Sequence, residues 1–303
     1  MKRTVFIGSV ISSKIALETL VSCGIVLDLV CSLDSEVSQN VSDYYPIHEI
    51  AASHGIPYLT FKKINEMAVL DALSQIEPDL IFVVGLSQII PENLLNLPKM
   101  YCIGFHPTPL PQLRGRAAIP WQILLGIQQS MITLFKLDAG MDSGDIFIRY
   151  PYQISEDDYA ADVYEKICIA LRNAITDNVY KIYNDSATFL PQNEEDATYL
   201  LIRRPEDGVI VWNQSAVQIS RLIRATSKPY PGAFTYYNKK KVTIWRARTE
   251  NNNKYIGLPG QIAWINGQSE IGVITESGIL VIEELESSQV KFSIGKKFKS
   301  IIG

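Results

Sequence analysis

The chain is poor in cysteine and lacks the short motifs that mark several common enzyme classes. Its 303 residues include only four cysteines, Cys23, Cys31, Cys102 and Cys168, which are widely spaced and form no C-x-x-C pair. This usage favours buried free thiols over a zinc site or a disulfide framework, and no metal is expected. The patterns G-x-G-x-x-G and G-x-x-x-x-G-K-[ST] are also absent. A nicotinamide site or a P-loop nucleotide site is therefore disfavoured.

Long apolar runs are missing as well. No stretch reaches the roughly 18 apolar residues that a membrane-spanning helix needs. The N-terminal sequence MKRTVFIGSV leads into a strand-like segment without the cleavage region of a signal peptide. We therefore expect a cytoplasmic protein that does not associate with a membrane.

Charge is distributed unevenly along the chain. Residues 1–200 carry 13 Lys and Arg against 24 Asp and Glu, a net charge of −11, whereas residues 201–303 carry 15 against 8, a net charge of +7. A polar stretch that begins with proline, PQNEED, follows Leu190. The sequence thus predicts a first domain over 1–190, a linker over 191–204 and a C-terminal domain over 205–303. The basic half either meets an anionic ligand or is an ordinary solvated surface.

Strand-like and helix-like segments alternate in the first domain. The runs at 3–7, 25–31, 80–84 and 101–105 are apolar, and the last two are apolar on both faces. This pattern predicts an α/β fold with a doubly wound, mostly parallel sheet. The C-terminal domain instead has short apolar runs separated by Asn and Gly turn signals, which is typical of a small β-barrel.

Ligands of doubly wound sheets bind beyond the carboxyl ends of the strands. Three loops are predicted there, at 85–91, 106–116 and 138–145. His106 ends an apolar run and Asp142 lies in a loop punctuated by glycine. An imidazole and a carboxylate suit proton transfer near neutral pH, although a core histidine and a turn aspartate would leave the same pattern.

The order of these motifs resembles one enzyme family over nearly the whole chain. H-P-x-x-L-P-x-x-R-G-R-A-x-x-x-W, from His106, is followed by D-x-G-x-D-x-G-D-I, from Asp138. These motifs, with RRPEDGVIVW at 203–212, IRATSKPYPGAF at 223–234 and PGQI at 259–262, resemble the N10-formyltetrahydrofolate-dependent formyltransferases. The resemblance implies a Rossmann-like catalytic domain, an OB-like C-terminal domain and N10-formyltetrahydrofolate as co-substrate.

The family's catalytic set is Asn-x-His with a loop Asp, and it falls on Gly104, His106 and Asp142. The asparagine is replaced by Gly104, which has no side chain to hold the formyl oxygen as it becomes an oxyanion. The resemblance leaves two alternatives: His106 acts with a backbone amide or a bound water, or the enzyme is slow or inactive. It further implies that the folate is held mainly by backbone groups of the two loops that contain Gly85, Leu86, Ser87, Gln88, Ile89, Leu137, Asp138 and Gly140, and the alternative for Leu86 and Ile89 is loop packing. Arg114 and Arg116 bracket a glycine at the entrance to a predicted helix. With Thr108 they are predicted to bind the substrate, and the alternative for the two arginines is ordinary solvation at the surface.

The acceptor amine is predicted from the loop that follows the second strand. In family members that act on tRNA this loop carries a basic insertion, but residues 32–43 contain no Lys or Arg and three acids. Together with R-G-R at 114–116, this favours a nucleotide-linked amino sugar, a UDP- or dTDP-sugar, over a nucleic acid. The alternatives are a methionyl-tRNA formyltransferase, a formyltetrahydrofolate hydrolase, and a folate or nucleotide binder without activity. The sequence is also compatible with a homodimer formed through the C-terminal domain.

Overall fold

The computed structural model describes residues 2–251, 254–267, 270–288 and 290–301. The strands in these residues are β1 Thr4–Gly8, β2 Leu29–Leu33, β3 Tyr58–Phe61, β4 Leu80–Val84, β5 Tyr101–His106, β6 Arg114–Gly115, β7 Gln129–Lys136, β8 Ile146–Gln153, β9 Tyr199–Leu200, β10 Ala233–Tyr237, β11 Lys240–Glu250, β12 Ile262–Asn266, β13 Glu270–Ile274 and β14 Ile279–Ser287. The helices are α1 Ile11–Ser22, α2 Ile47–Ser53, α3 Met67–Ile76, α4 Glu92–Leu95, α5 Ala118–Leu125, α6 Ala160–Tyr183 and α7 Ala216–Thr226.

The chain folds into two compact units, neither of which is continuous in sequence. The first unit comprises Met1–Ala118, Gln129–Gln153 and Glu165–Leu200, and the second comprises Ile119–Gln128, Ile154–Tyr164 and Leu201–Gly303. Two segments within the predicted first domain, 119–128 and 154–164, thus group with the second unit. Residues 191–200, predicted as linker, group with the first.

A seven-stranded sheet forms the centre of the first unit, in the order β3-β2-β1-β4-β5-β7-β8. The five strands from β3 to β5 are parallel, and β7 and β8 add to one edge in antiparallel pairing. Every residue of β1, β2 and β4 is buried, because helices cover both faces of a parallel sheet and leave no face for polar side chains. The predicted α/β fold is confirmed.

One predicted strand is displaced. The apolar run at 25–31 predicts a strand there, but β2 is Leu29–Leu33. Ile25 and Leu27 are buried in the connection that follows α1. An apolar run therefore identifies burial more securely than it identifies strand geometry.

The second unit contains a five-stranded antiparallel sheet in the order β10-β11-β14-β13-β12, with α7 packed against it. The segment 296–299 pairs with both outer strands of this sheet. Lys299 exchanges backbone hydrogen bonds with Tyr236 of β10, and Lys296 accepts one from Ile262 of β12. This pairing brings the two edges together in the manner of a small barrel, as predicted for this domain. No helix in the described part of the chain is both long enough and apolar enough to cross a membrane.

Candidate active site

Strand β5 and the loop that follows β7 bring the predicted catalytic residues together. Lys136, the last residue of β7, pairs with Ile103 of β5. The loop that follows turns back along β5, so that Leu137 lies at Gly104 and Asp142 lies at His106. A backbone hydrogen bond of 2.8 Å from Lys136 to Asp145 closes the loop.

The His106 ring is held from one side by a carbonyl oxygen. The side chain is 6% exposed, and its Nε2 lies 2.9 Å from the Leu113 carbonyl. Because a carbonyl only accepts hydrogen bonds, we assign the ring proton to Nε2. The lone pair of the neutral ring is then on Nδ1, which lies 3.7 Å from the Asp142 Oδ2. The ring can take up a proton on the side that faces the carboxylate.

Asp142 is fixed by its backbone as well as by its side chain. It has a φ of +52°, in the left-handed region that costs a residue with a side chain about 1–3 kcal/mol in the sites where such strain clusters. Its Oδ2 accepts a hydrogen bond of 2.8 Å from the Gly115 amide, and its own carbonyl accepts one of 2.8 Å from the Gln192 Nε2. Three segments of the chain therefore set the position of this carboxylate.

Leu137 fills the space beside Gly104. A Cβ placed on Gly104 would lie 2.5 Å from the Leu137 Cδ2 and 3.2 Å from the Phe135 Cε1. Leu137 therefore occupies the space that a side chain at position 104 would enter.

The residues predicted to contact the cofactor lie on two loops. Most of their polar side chains form hydrogen bonds that stabilise these loops. Gln88 bonds the backbone of Ile64 and Lys62, and Asp138 accepts hydrogen bonds from the Gly140 amide and from Ser143. Leu86 is partly buried against the core, and Gly85 has a φ of +64°. Backbone groups and exposed apolar side chains such as Ile89, which is 91% exposed, are left to meet a ligand.

The three residues predicted to bind substrate have different surroundings. Arg116 is exposed and donates a 2.6 Å hydrogen bond to the Ser87 carbonyl, so it joins two of the predicted loops. Thr108 is fully buried, and its hydroxyl donates to the carbonyl of Gln112 or Leu113. This burial favours a role for Thr108 in shaping the loop rather than in touching a substrate.

Arg114 differs most from its prediction. Its side chain is 1% exposed and is paired with Glu194, Gln192 and Tyr199. The hydrogen bonds that Arg114 donates to the Glu194 carboxylate raise the pKa of the guanidinium, against the opposing effect of burial. An arginine whose donors are all taken by the protein has none left for a substrate phosphate, so the structure argues against the predicted contact.

Three residues of this site were not predicted from the sequence. Leu113, with a φ of +60°, supplies the carbonyl that binds His106, and Thr198 holds Leu113 through a 2.8 Å hydrogen bond to its amide. Gln192 bonds the Asp142 loop. A backbone carbonyl has no signal in a sequence, whereas Gln192 stands in the polar stretch that was interpreted as linker.

His106 is a buried imidazole at the carboxyl end of β5, and it faces the carboxylate of a neighbouring loop. This arrangement suits an enzyme that moves a proton during group transfer. The chain matches the family model described as "Formyl transferase" over residues 29–178 and that described as "Formyl transferase, C-terminal domain" over residues 203–300. It is 33% identical over 246 residues to a methionyl-tRNA formyltransferase of Alkaliphilus oremlandii, covering 81% of this chain and 78% of that protein. The chain belongs to the formyltransferase family.

Two further proteins extend the comparison. A methionyl-tRNA formyltransferase of Agathobacter rectalis is 30% identical over 287 residues, which cover 94% of this chain and 91% of that protein. The crystal structure of WlaRD, described as a sugar 3N-formyl transferase in the presence of dTDP and 5-N-formyl-THF, superposes with a TM-score of 0.69. It covers 94% of this chain and 98% of that one at 19% identity, and so supports the fold alone.

Proposed function

We propose that this chain transfers a formyl group from N10-formyltetrahydrofolate to a primary amine. The observation that carries the proposal is the pair of His106 and Asp142, with Nδ1 and Oδ2 3.7 Å apart. An amine that attacks a formyl carbon gains positive charge and must lose a proton. Nδ1 accepts this proton, since Nε2 already carries its hydrogen toward the Leu113 carbonyl.

Asp142 then stabilises the charged ring. When Nδ1 is protonated, the imidazolium faces a carboxylate in a largely buried position, where the attraction between opposite charges is screened less than in water. The same ring then returns the proton to the leaving nitrogen. Gly104 has no side chain to donate to the oxyanion, and both ring nitrogens of His106 are already assigned, so this stabilisation is left to backbone amides.

The surroundings of the pair fit a folate. The co-substrate supplies the formyl group, carried on a nitrogen that becomes the leaving group. Ile89 and Met141 are 91% and 59% exposed on the two loops assigned to the cofactor. Large exposed apolar side chains beside a polar site are typical of surfaces that bind a flat ring. We propose that backbone groups of 85–89 and 137–140 hold the pterin.

The proposed acceptor is a nucleotide-linked amino sugar with a UDP or dTDP carrier. Residues 32–43, after β2, carry Asp34, Glu36 and Asp43 and no Lys or Arg, a composition that repels a nucleic-acid backbone. Arg116 is the exposed cation of the R-G-R motif and has the chemistry to pair with a diphosphate. A protein of this fold, the sugar 3N-formyl transferase solved with dTDP, acts on a substrate of this class.

Methionyl-tRNA is the second candidate acceptor. Two relatives at 33% and 30% identity are methionyl-tRNA formyltransferases, and residues 201–303 carry a net charge of +7. A basic C-terminal domain suits contact with phosphates. We propose that the protein works in the cytoplasm, the compartment that its four free thiols favour.

One assay separates the candidates. The protein is incubated with N10-formyltetrahydrofolate and, in separate reactions, with UDP- and dTDP-amino sugars, with methionyl-tRNA, or without acceptor. Release of tetrahydrofolate is followed by absorbance, and the product is identified by the mass added by one CO group. A formylated sugar supports the proposal, formyl-methionyl-tRNA supports the second candidate, and release without acceptor indicates a hydrolase. His106→Ala is the matched control, and turnover by that variant would contradict the role of the ring.

A further inference from the structure

Arg114 is the buried centre of a hydrogen-bond cluster whose members Glu194 and Tyr199 are exposed. Its Nη1 and Nη2 bind the two carboxylate oxygens of Glu194 at 2.9 and 2.7 Å, and Nη1 also donates to the Tyr199 hydroxyl at 3.1 Å. Its Nε and Nη2 donate to the Gln192 Oε1 at 3.2 and 2.8 Å. These contacts use all five N–H donors of a guanidinium. The cluster is therefore a completed structure rather than a ligand site.

Gln192 connects this cluster to the Asp142 loop through hydrogen bonds. With its Oε1 held by Arg114, its amide nitrogen must point the other way, where it donates to the carbonyls of Asp142 at 2.8 Å and Gly144 at 2.7 Å. Arg114 thus fixes the orientation of an amide that could otherwise rotate by half a turn. In the reversed orientation, the amide oxygen would face two carbonyl oxygens and push the loop away.

The bonded carbonyl belongs to the residue whose side chain faces His106. Asp142 holds a left-handed backbone conformation, so its position depends on outside contacts. Gln192 donates a hydrogen bond to the Asp142 backbone carbonyl, and the Gly115 amide donates one to the Asp142 carboxylate. Gly115 also pairs with Leu200 of β9 through its backbone.

We propose that Arg114 and Gln192 are positioning residues that hold the Asp142 carboxylate against His106. The inference rests on the proposed roles of His106 and Asp142 in formyl transfer. Glu194 and Tyr199 accept the remaining N–H groups of the guanidinium and so keep Arg114 turned toward Gln192. The segment 191–200 is then part of the active-site framework, although none of its side chains touches a reacting atom.

The test uses Gln192→Met, which keeps the length of the side chain but removes its two donors. Displacing a catalytic group by about 1 Å costs on the order of 100-fold in rate, so kcat is expected to fall by roughly 10- to 100-fold. KM values for both substrates should change little, because neither residue is proposed to contact them. Gln129→Met, the same substitution on the exposed start of β7, is the matched control and should match the wild type.

Hydrogen exchange at the Gly115 amide gives a second readout that does not depend on activity. This amide donates to the Asp142 Oδ2, so loosening of the loop should speed its exchange in Gln192→Met but not in Gln129→Met. Unchanged kcat and unchanged exchange at Gly115 would overturn the proposal. If the wild type forms no formylated product but the exchange still rises, the positioning contact stands and the proposed function fails.

Glu194→Gln keeps the inference testable if Gln192→Met does not fold. The Glu194 carboxylate is 65% exposed, so its replacement leaves the core intact while weakening the grip on Arg114. We expect kcat to fall less in Glu194→Gln than in Gln192→Met, with faster exchange at the Gly115 amide than in the wild type. Glu195→Gln, the exposed neighbour, is the control, and equal behaviour of the two variants would contradict the inference.

Discussion

Gly104→Asn restores the side chain that the family motif would place here, and we expect it to harm the protein. The new Cβ would lie 2.5 Å from the Leu137 Cδ2 and 2.8 Å from its Cγ. Contacts this short force Leu137 to move, and overpacking of a filled site costs about 1–3 kcal/mol. At about 2–4 °C per kcal/mol, the melting temperature should fall by roughly 2–12 °C.

The activity should fall with the stability. Leu137 begins the loop that carries Asp142, so a displaced Leu137 also disturbs the distance from Asp142 to His106. Leu137→Ala alone is expected to destabilise through a lost contact, and the pair Gly104→Asn with Leu137→Ala should fit together. The cycle of wild type, two single variants and the double variant should show a favourable coupling on the order of 1 kcal/mol.

Urea unfolding and steady-state kinetics of these four proteins test the reasoning. If the side-chain amide introduced by Gly104→Asn gains the role of an oxyanion donor, the double variant should turn over on the order of 10-fold or more faster than Leu137→Ala. A Gly104→Asn variant as stable as the wild type would refute the claim that Leu137 fills this space. The absence of coupling in the cycle would refute it as well.

Three further predictions concern single groups. His106→Ala should lower kcat by about 100- to 10,000-fold with little change in folate affinity, measured by kinetics and by equilibrium binding; near-normal turnover would remove the ring from the mechanism. The hydrogen bond from Arg114 lowers the pKa of Glu194 below its ordinary value of 4.5. The stability gained from this pair should therefore be fully present above about pH 4.5 and lost as the pH falls through the lowered pKa. Urea unfolding should show this loss of stability in acid, and Glu194→Gln should lack it. Burial raises the pKa of Cys102 to about 12, so a thiol reagent at pH 8 should label the half-buried Cys23 and leave Cys102 and the activity intact; modification of Cys102 in the native protein would contradict its burial.

The central strands could be predicted because their signal is local. The run Leu80–Val84 is apolar on both faces, which is typical of a covered parallel strand of this length. The pairing of His106 with Asp142 could be predicted from motif order, since the two loops meet at one sheet. These features depend on residue type and spacing, which a sequence displays.

The contacts that complete the site could not be predicted in the same way. Gln192 lies 78 residues from Arg114 along the chain, and no periodicity relates them. The stretch around Gln192 is polar and begins with proline, which is also the composition of a solvated linker. The same limit applies to Arg114, because an arginine that binds phosphate and one that is paired inside the protein have the same residue type.

The pairing of segment 296–299 with both outer strands has a consequence for self-association. Phe234 and Tyr236 on β10 are bridged by Val209 and Lys299, and Ile262 on β12 is bonded by Lys296. At these positions the backbone groups that could recruit a foreign strand are already used. Two copies that met through this sheet would therefore have to do so with side chains. The segment 296–299 would block the addition of a strand at these positions.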